Sequence, residues 1–251
     1  NLNFWDLGML GKSEYFVPLK PRVQVLDSIG REQKNRHFPA LESEDKSAVP
    51  SRELALYMTE RVISTGPVAM YLPQARYINP FFSRLHELSR HGCRLPRLMA
   101  SCNNEEGQKI SKLVDMHYGC TQRVNIFHDG ILAGILPHYG TLQGCLRQVV
   151  EDEIESGNFK CVACTSTLAE GVNLPIKYLI ITGVQNGVST VKTRDFQNLL
   201  GRVARSGKYS EGSVLISDPS ILDSYRTHDY GRLLDDRQSE ACVSTIAKLF
   251  N

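Results

Sequence analysis

The chain has 251 residues, enough for one large domain or two small ones with a sizeable core. Its 41% hydrophobic and 22% charged residues are ordinary for a globular chain, and a net charge of +2 neither demands nor excludes a nucleic-acid partner. No apolar run is long enough to span a bilayer and no signal-peptide pattern opens the chain. Seven scattered cysteines do not resemble a disulfide framework, so we expect an intracellular, cytoplasmic protein with no membrane partner.

The first fifty residues are predicted to be a connecting segment. The stretch "EYFVPLKPRVQVLDS" has room for one or two strands, but two prolines interrupt it and favour an edge or a connector. The polar stretch that follows, from Gly30 to Pro50, is typical of a linker. Ser51 is then predicted to cap the helix "RELALYMTERVIS".

Strands and helices are predicted to alternate from there on. The predicted strands are 67–72, 123–127, 159–164, 178–183 and 212–217. One helix is predicted to be capped by Asn79, with Pro80 in its first turn and Gly92 at its end, and a second is predicted to end near Gly119. A third lies within 141–157 and carries an apolar stripe formed by Leu142, Cys145, Leu146, Val149, Val150 and Ile154. Two more are predicted over 194–207 and, as a short helix, at "STIAKLF". This alternation predicts an α/β fold with a mostly parallel sheet and crossover helices.

The stretch "CVACTSTLAEGVNLP", Cys161 to Pro175, opens on a Cys-x-x-Cys pair. If 159–164 is a strand, residues three apart point to opposite faces of the sheet, so the two thiols cannot share a metal ion or form a disulfide. A zinc site would also need two further ligands nearby, and no second cysteine pair exists. We therefore predict no metal site and interpret the cysteines as small buried residues; a zinc or redox protein is the disfavoured alternative.

The loop after that strand carries polar groups at the carboxyl end of the predicted sheet, where ligands bind in open parallel sheets. Thr165, Ser166 and Thr167 offer hydroxyl and backbone N–H groups to a phosphate oxygen. Gly171 permits close backbone approach and Asn173 offers an amide. A serine/threonine turn before a short helix is also a common structural feature, so the loop alone does not decide its role.

A basic helix is predicted over 194–207, capped by Asp195. At about 100° per residue, Asn198, Arg202 and Arg205 fall together on one face. The plain alternative is a solvated basic face; two guanidiniums three residues apart can also converge on a polyphosphate.

A third group of residues lies at a predicted strand-to-helix junction in "ILPHYGTLQGCLR". His138, Gly140 and Arg147 are placed there, and the N–H groups at the helix start favour an anion such as a nucleic-acid phosphate. A capped turn with a surface arginine explains the same residues equally well.

Together, in this order, the three pieces resemble the second RecA-like lobe of superfamily 2 helicases of the DEAD/DEAH type, especially the Ski-type branch. "TSTLAEGVNLP" is similar to helicase motif V at nearly every position, "NLLGRVAR" to motif VI, and "HYGTL" with Arg147 to the segment H-H-x-G-L…R. The resemblance implies a P-loop NTPase fold, a RecA-like domain with helices on both faces of the sheet, over residues 51–218. Residues 1–50 would then be an inter-lobe linker or the tail of a first lobe, and 219–251 a C-terminal extension.

The resemblance also implies roles for these residues. Arg202 and Arg205 would be arginine fingers toward ATP in an ATP-dependent helicase. Gly171, Asn173, Asn198 and Gly201 would line the nucleotide side, and His138, Gly140, Arg147, Thr165 and Thr167 would face the phosphates of a single DNA or RNA strand.

The chain departs from the family pattern at several points. Asn198 stands for a motif VI glutamine, Ala204 for a glycine and Tyr139 for a second histidine. Gly11-Lys12-Ser13 is only half of a Walker A loop, because Asp6 stands at the first glycine and the Pro-rich sequence that follows is predicted to be strand-like, where a P-loop should open a helix. We therefore expect the partner lobe to hold Mg²⁺ and most of the ATP site, so that this chain alone is inactive. A non-catalytic nucleic-acid or protein binding module is the alternative.

Overall fold

The computed structural model describes residues 4–6, 49–118, 126–169, 174–186, 189–204, 209, 211–218, 221 and 233. The strands are β1 (Phe4–Asp6), β2 (Val68–Tyr71), β3 (Ile135–His138), β4 (Cys161–Cys164), β5 (Tyr178–Ile181), β6 (Gln185–Asn186), β7 (Ser189–Thr190) and β8 (Ser213–Ile216). The helices are α1 (Val49–Val62), α2 (Ile78–Arg90), α3 (Pro96–Met99), α4 (Asn104–Tyr118), α5 (His128–Leu132), α6 (Gly144–Glu155) and α7 (Thr193–Leu200).

One six-stranded sheet organises the domain, in the order β1-β8-β5-β2-β4-β3. Five of its strands run parallel, and β1 pairs antiparallel with β8 at one edge. The predicted, mostly parallel α/β sheet is therefore confirmed. Phe4–Asp6, which the sequence had placed in the 1–50 connecting segment, forms the antiparallel edge strand.

The strand order places helices on both faces of the sheet. The chain moves from β2 to the β3 edge through α2 to α5, then returns through α6 and α7 toward β8. Crossovers between parallel strands are right-handed, so helices that connect strands in one direction across the sheet cover one face, and helices that connect strands in the other direction cover the opposite face. The two groups of helices therefore lie on opposite faces. Four of the five parallel strands, all except the edge strand β3, have a neighbouring strand on each side. The apolar runs of the parallel strands are almost wholly buried, as expected for a sheet covered on both faces.

Several predicted helix starts are wrong, for local reasons. α1 begins at Val49, two residues before the proposed cap Ser51, because Pro50 is accepted in a first helical turn that needs no N–H bond there. α2 begins at Ile78, directly after a 3₁₀ turn (Ala75–Tyr77), so Asn79 lies inside the helix. Pro80 does lie in its first turn, and Gly92 follows its end with φ of +73°, as predicted.

Two apolar assignments also change. Ile126 and Phe127 lie in a turn, not in a strand, and residues 123–125 of that predicted strand are outside the described residues. The side chain of Phe127 packs in an aromatic cluster. Its ring centroid lies 4.9 Å from that of Phe82 and 6.5 Å from that of Tyr139. In the stripe of α6, Cys145 is exposed.

The long segment between β2 and β3 is a packed helical layer. Glu60 of α1 accepts N–H bonds from Arg97 (2.8 Å) and Leu98 (3.0 Å), and so caps the start of α3. Gly130 of α5 lies against the Phe82 ring of α2, where a Cβ would approach to 2.4 Å. Within the described residues, no helix is long and apolar enough to cross a membrane. The proposed tail, 219–251, lies outside the described part except for Ile221 and Leu233.

Candidate nucleotide and nucleic-acid interface

The polar loop predicted after β4 does lie at the carboxyl edge of the sheet. β2 and β4 are neighbours there, and their connections leave toward opposite faces, which is the arrangement that opens a ligand crevice in such sheets. Thr165 is buried (5% exposed) and its hydroxyl lies 3.1 Å from that of Thr167. The Thr165 N–H is used internally, by donating to the His138 carbonyl at 3.2 Å. The loop therefore offers hydroxyls, of which the half-buried Thr167 is the more accessible.

Gly140 lies beside this threonine pair. A Cβ at Gly140 would be 3.1 Å from the methyl group of Thr167, so a side chain there would press on the threonine. Gly140 itself is exposed. The structure thus brings His138, Gly140, Thr165 and Thr167 together at one edge of the sheet.

His138 is directed inward at this edge. Its side chain is 1% exposed and its Nε2 lies 2.8 Å from Oε1 of Glu151 on α6. Nδ1 of the ring is buried, with no hydrogen-bond partner among the described residues. Because the ring is buried and paired with Glu151, the His138 side chain ties β3 to α6. Sequence reasoning missed Glu151, one helical turn after the half-buried Arg147.

The predicted basic helix is shorter than expected. α7 ends at Leu200, and its N-cap is Lys192, so Asp195 is the third helical residue, where a carboxylate is favourable near the positive helix end. The last turns tighten through i→i+3 bonds from Arg202 to Leu199 and from Val203 to Leu200, both 3.1 Å. α7 therefore carries Asn198 but ends before Arg202, and Arg205 lies outside the described residues.

Arg202 lies at the opposite edge of the sheet from Thr165. Val203 forms a parallel bridge with Ile176, and the Ala204 N–H donates to the Ile176 carbonyl at 2.8 Å. Ile176 precedes β5, so this turn is at the amino ends of the strands, about 13 Å or more from the carboxyl ends at ~3.3 Å per residue over a four-residue strand. The stretch 165–176 connects the two edges.

Ala204 adopts a left-handed conformation with φ of +59°, the one non-glycine residue of the described chain to do so. Ala204, which stands for a glycine of the family pattern, therefore occupies a backbone conformation that favours glycine. A helix C-terminus usually places glycine in this conformation, because a Cβ is strained there.

Ala204→Gly is expected to raise the free energy of unfolding of this chain. Left-handed strain of about 1–2 kcal/mol is relieved while glycine adds about 0.5–1 kcal/mol of backbone entropy, for a net gain of about 0.5–1 kcal/mol. Denaturant unfolding measures it. Ala100→Gly, at φ of −73°, is the matched control and should destabilise. Equal losses in both variants would contradict the expectation.

The remaining nucleotide-side residues are only partly described. Asn198 is exposed on the last turn of α7, and Gly201 is exposed just after it. Gly171, Asn173 and Arg205 lie outside the described residues. α7 packs against the 3₁₀ turn Ser166–Ala169, which keeps the motif VI segment beside the motif V segment.

The cysteine pair is part of the core. Cys161 and Cys164 begin and end β4 and are fully buried, and burial raises the pKa of both thiols. Cys164 Sγ donates to the Met70 carbonyl at 3.5 Å. Across the described part of the chain, no three His, Cys, Asp or Glu side chains are grouped to hold a metal ion.

Residues 93–207, which include Thr165, His138 and Arg202, match the helicase conserved C-terminal domain. The chain is 28% identical to Hachiman protein HamB of Bacillus cereus over 80% of its length. It is 28% identical to ATP-dependent DNA helicase Hel308 of Thermoplasma acidophilum over 40% of its length, and 26% identical to antiviral helicase SKI2 of Saccharomyces cerevisiae over 46%. The chain thus contains a region similar to the C-terminal motor lobe of the superfamily 2 helicases.

The chain spans only a small part of the length of these relatives. It spans 17% of the length of the Hachiman protein, 17% of the Hel308 protein and 10% of the SKI2 protein. In this helicase-like lobe the threonine pair and the Arg202 turn lie at opposite edges of one RecA-like sheet, with the motif V stretch between them.

Proposed function

We propose that this lobe is the second motor lobe of an ATP-dependent nucleic-acid helicase or translocase and works against a first RecA-like lobe of the same protein. The observation that carries the proposal is the span of the motif V stretch. Its Thr165 end is at the carboxyl edge of the sheet, and its Ile176 end holds the Arg202 turn at the amino edge. A nucleic-acid strand bound at one edge of the sheet and a nucleotide bound at the other would both contact the continuous segment 165–176.

The carboxyl edge of the sheet is the side proposed to bind the nucleic-acid strand. Thr167, with the Thr165 hydroxyl behind it, would donate to a phosphate of single-stranded DNA or RNA. Gly140 leaves room beside them, Arg147 would add charge, and His138 with Glu151 would position the 139–143 loop. Contacts to phosphate carry no sequence information, which suits a motor that moves along any strand.

The amino edge is the proposed nucleotide side. Arg202 is half-buried at the end of α7, with Nε shielded from solvent, and its guanidinium offers a planar set of donors that fits a triphosphate. When bound, ATP supplies the phosphoanhydride bond whose hydrolysis drives the motor, with Mg²⁺ held mainly by the first lobe. Arg202, and by family resemblance Arg205, would stabilise the charge that develops on the phosphoryl oxygens, and Asn198, Gly201, Gly171 and Asn173 would line this side.

The proposed contact with the nucleic-acid strand is tested by removing the threonine hydroxyls without changing side-chain volume. Thr167→Val, and Thr165→Val with it, are expected to raise the Kd for single strands in the full-length protein by about 10-fold or more, since a hydrogen bond to a charged group is worth about 1.5–3 kcal/mol. Fluorescence anisotropy with labelled DNA and RNA strands measures this.

Ser156→Ala is the matched control for the threonine variants. Ser156 follows α6 at the other edge, and its hydroxyl donates to the Glu153 carbonyl at 3.0 Å and accepts from the Asn158 N–H at 3.5 Å. It should leave the Kd unchanged. Unchanged strand affinity in the double threonine variant would remove the strand contact from the proposal.

A further inference from the structure

The turn that follows α7 is wedged against the start of β8. A Cβ built on Gly212 would be 2.2 Å from Cγ1 of Val203 and 3.2 Å from both the Cβ and the backbone N of Ala204. Real atoms do not approach to 2.2 Å, so Gly212 has no space for a side chain in this arrangement. The reason is steric, and it comes from the two residues that follow Arg202.

The same turn is fixed from two other directions. Its backbone continues α7 through the Arg202 and Val203 N–H bonds to Leu199 and Leu200. Ala204 donates to Ile176, and Ser213, next to Gly212, donates to Lys177 at 2.9 Å. Val203 and Ala204 therefore fill the gap between the end of the motif V stretch and the first residue of β8.

We propose that Val203 and Gly212 are positioning residues for Arg202: the contact between the Val203 side chain and the bare Gly212 backbone sets the direction in which Arg202 leaves α7. This inference rests on the proposed role of Arg202 toward ATP. Neither residue would touch the nucleotide. The left-handed Ala204 supports the assignment, because its strained backbone is held in place by Gly212 and Ile176 around it.

We call the contact between the Val203 side chain and Gly212 the wedge. The wedge predicts a reciprocal pair of substitutions. Gly212→Ala adds a methyl group where Val203 Cγ1 lies, so the turn and Arg202 must shift. Val203→Ala removes that Cγ1, so the double variant Val203→Ala/Gly212→Ala exchanges the volume between the two positions and returns the turn to its place. A residue with a merely structural role gives no such recovery of the catalytic rate at unchanged strand affinity.

The experiment measures kcat and KM for ATP at saturating single strand, the strand Kd, and thermal unfolding in the full-length protein. Gly212→Ala is expected to lower kcat by about 10–100-fold, since a misplacement of ~1 Å can cost about 100-fold. Its strand Kd should stay within about twofold, because the threonine edge is remote from the wedge. The double variant should recover to within about threefold of wild type.

Gly107→Ala is the matched control. Gly107 lies in α4, and a Cβ built on it would have ordinary contacts of 3.5 Å or more. It should leave kcat unchanged. If Gly212→Ala fails to fold, recovery of both folding and kcat in the double variant still supports the wedge, and a double variant without kcat overturns it. Unchanged kcat in a folded Gly212→Ala protein also overturns it.

Failure of the wedge is distinguishable from failure of the proposed function. An inactive wild type, or an active Arg202→Ala variant, removes the proposed role of Arg202 itself. An inactive Arg202→Ala variant beside a fully active Gly212→Ala variant removes only the wedge.

Discussion

Arg202→Ala in the full-length protein is expected to reduce strand-stimulated ATP turnover by about 10³-fold or more, the range of about 10³–10⁵ for arginine fingers. The guanidinium would stabilise charge that develops only in the transition state, so the loss should fall on kcat and leave the strand Kd near wild type. Steady-state turnover at saturating ATP and strand measures it.

Two further arginine variants sharpen that result. Arg202→Lys keeps the charge and loses the planar fork of donors, so it should recover only part of the rate. Arg90→Ala removes an exposed arginine at the end of α2, a comparable helix terminus, and should have no effect. An Arg202→Ala protein with more than about a third of the wild-type kcat would contradict the assignment, because it leaves less than 1 kcal/mol for the finger.

The second large effect is on stability and concerns a buried ion pair that joins α1 to α2. Arg84 Nε lies 2.7 Å from Oε1 of Glu53, both side chains are buried, and Arg84 Nη1 also reaches Glu87 at 2.7 Å. Arg84→Met leaves the Glu53 carboxylate buried beside an apolar chain, so it should lower the free energy of unfolding by about 3–5 kcal/mol.

A double-mutant cycle separates the pair from its surroundings. Arg84→Met with Glu53→Gln should be less destabilised than Arg84→Met alone, because neither charge of the pair remains. Lys109→Met breaks the exposed pair with Glu106 (2.6 Å) and should have no measurable effect in denaturant unfolding. Equal stabilities for the single and double variants would contradict this account.

The strands were predictable because they are short apolar runs rich in β-branched residues between turn signals, and the strand over Cys161–Cys164 settled the position of both thiols. The polar loop after it was predictable for the same reason, since the carboxyl end of β4 fixes Thr165. Helix starts were less predictable: Ser51 and Asn79 are good caps, but an earlier residue began each helix.

The Arg202 turn could not be read from local sequence. "LLGRVAR" has no residue that forbids a helix, and the helix ends because Ile176, almost thirty residues earlier, offers a carbonyl to Ala204. The burial of His138 is equally non-local, since it depends on Glu151 of α6. The helical layer α2 to α5 gave no functional signal in its sequence, and its apolar residues serve packing around Phe82 and Phe127.

The central claim, that this chain is one lobe of a two-lobe ATP motor, is tested most directly by ATP turnover of the full-length protein and of this 251-residue chain, each with and without single-stranded DNA or RNA. We predict strand-stimulated turnover by the full-length protein and none by the chain alone. Turnover by the isolated chain would contradict the claim. A full-length protein that lacks a Walker A loop and turns over no ATP with either strand would identify a non-catalytic binding lobe instead.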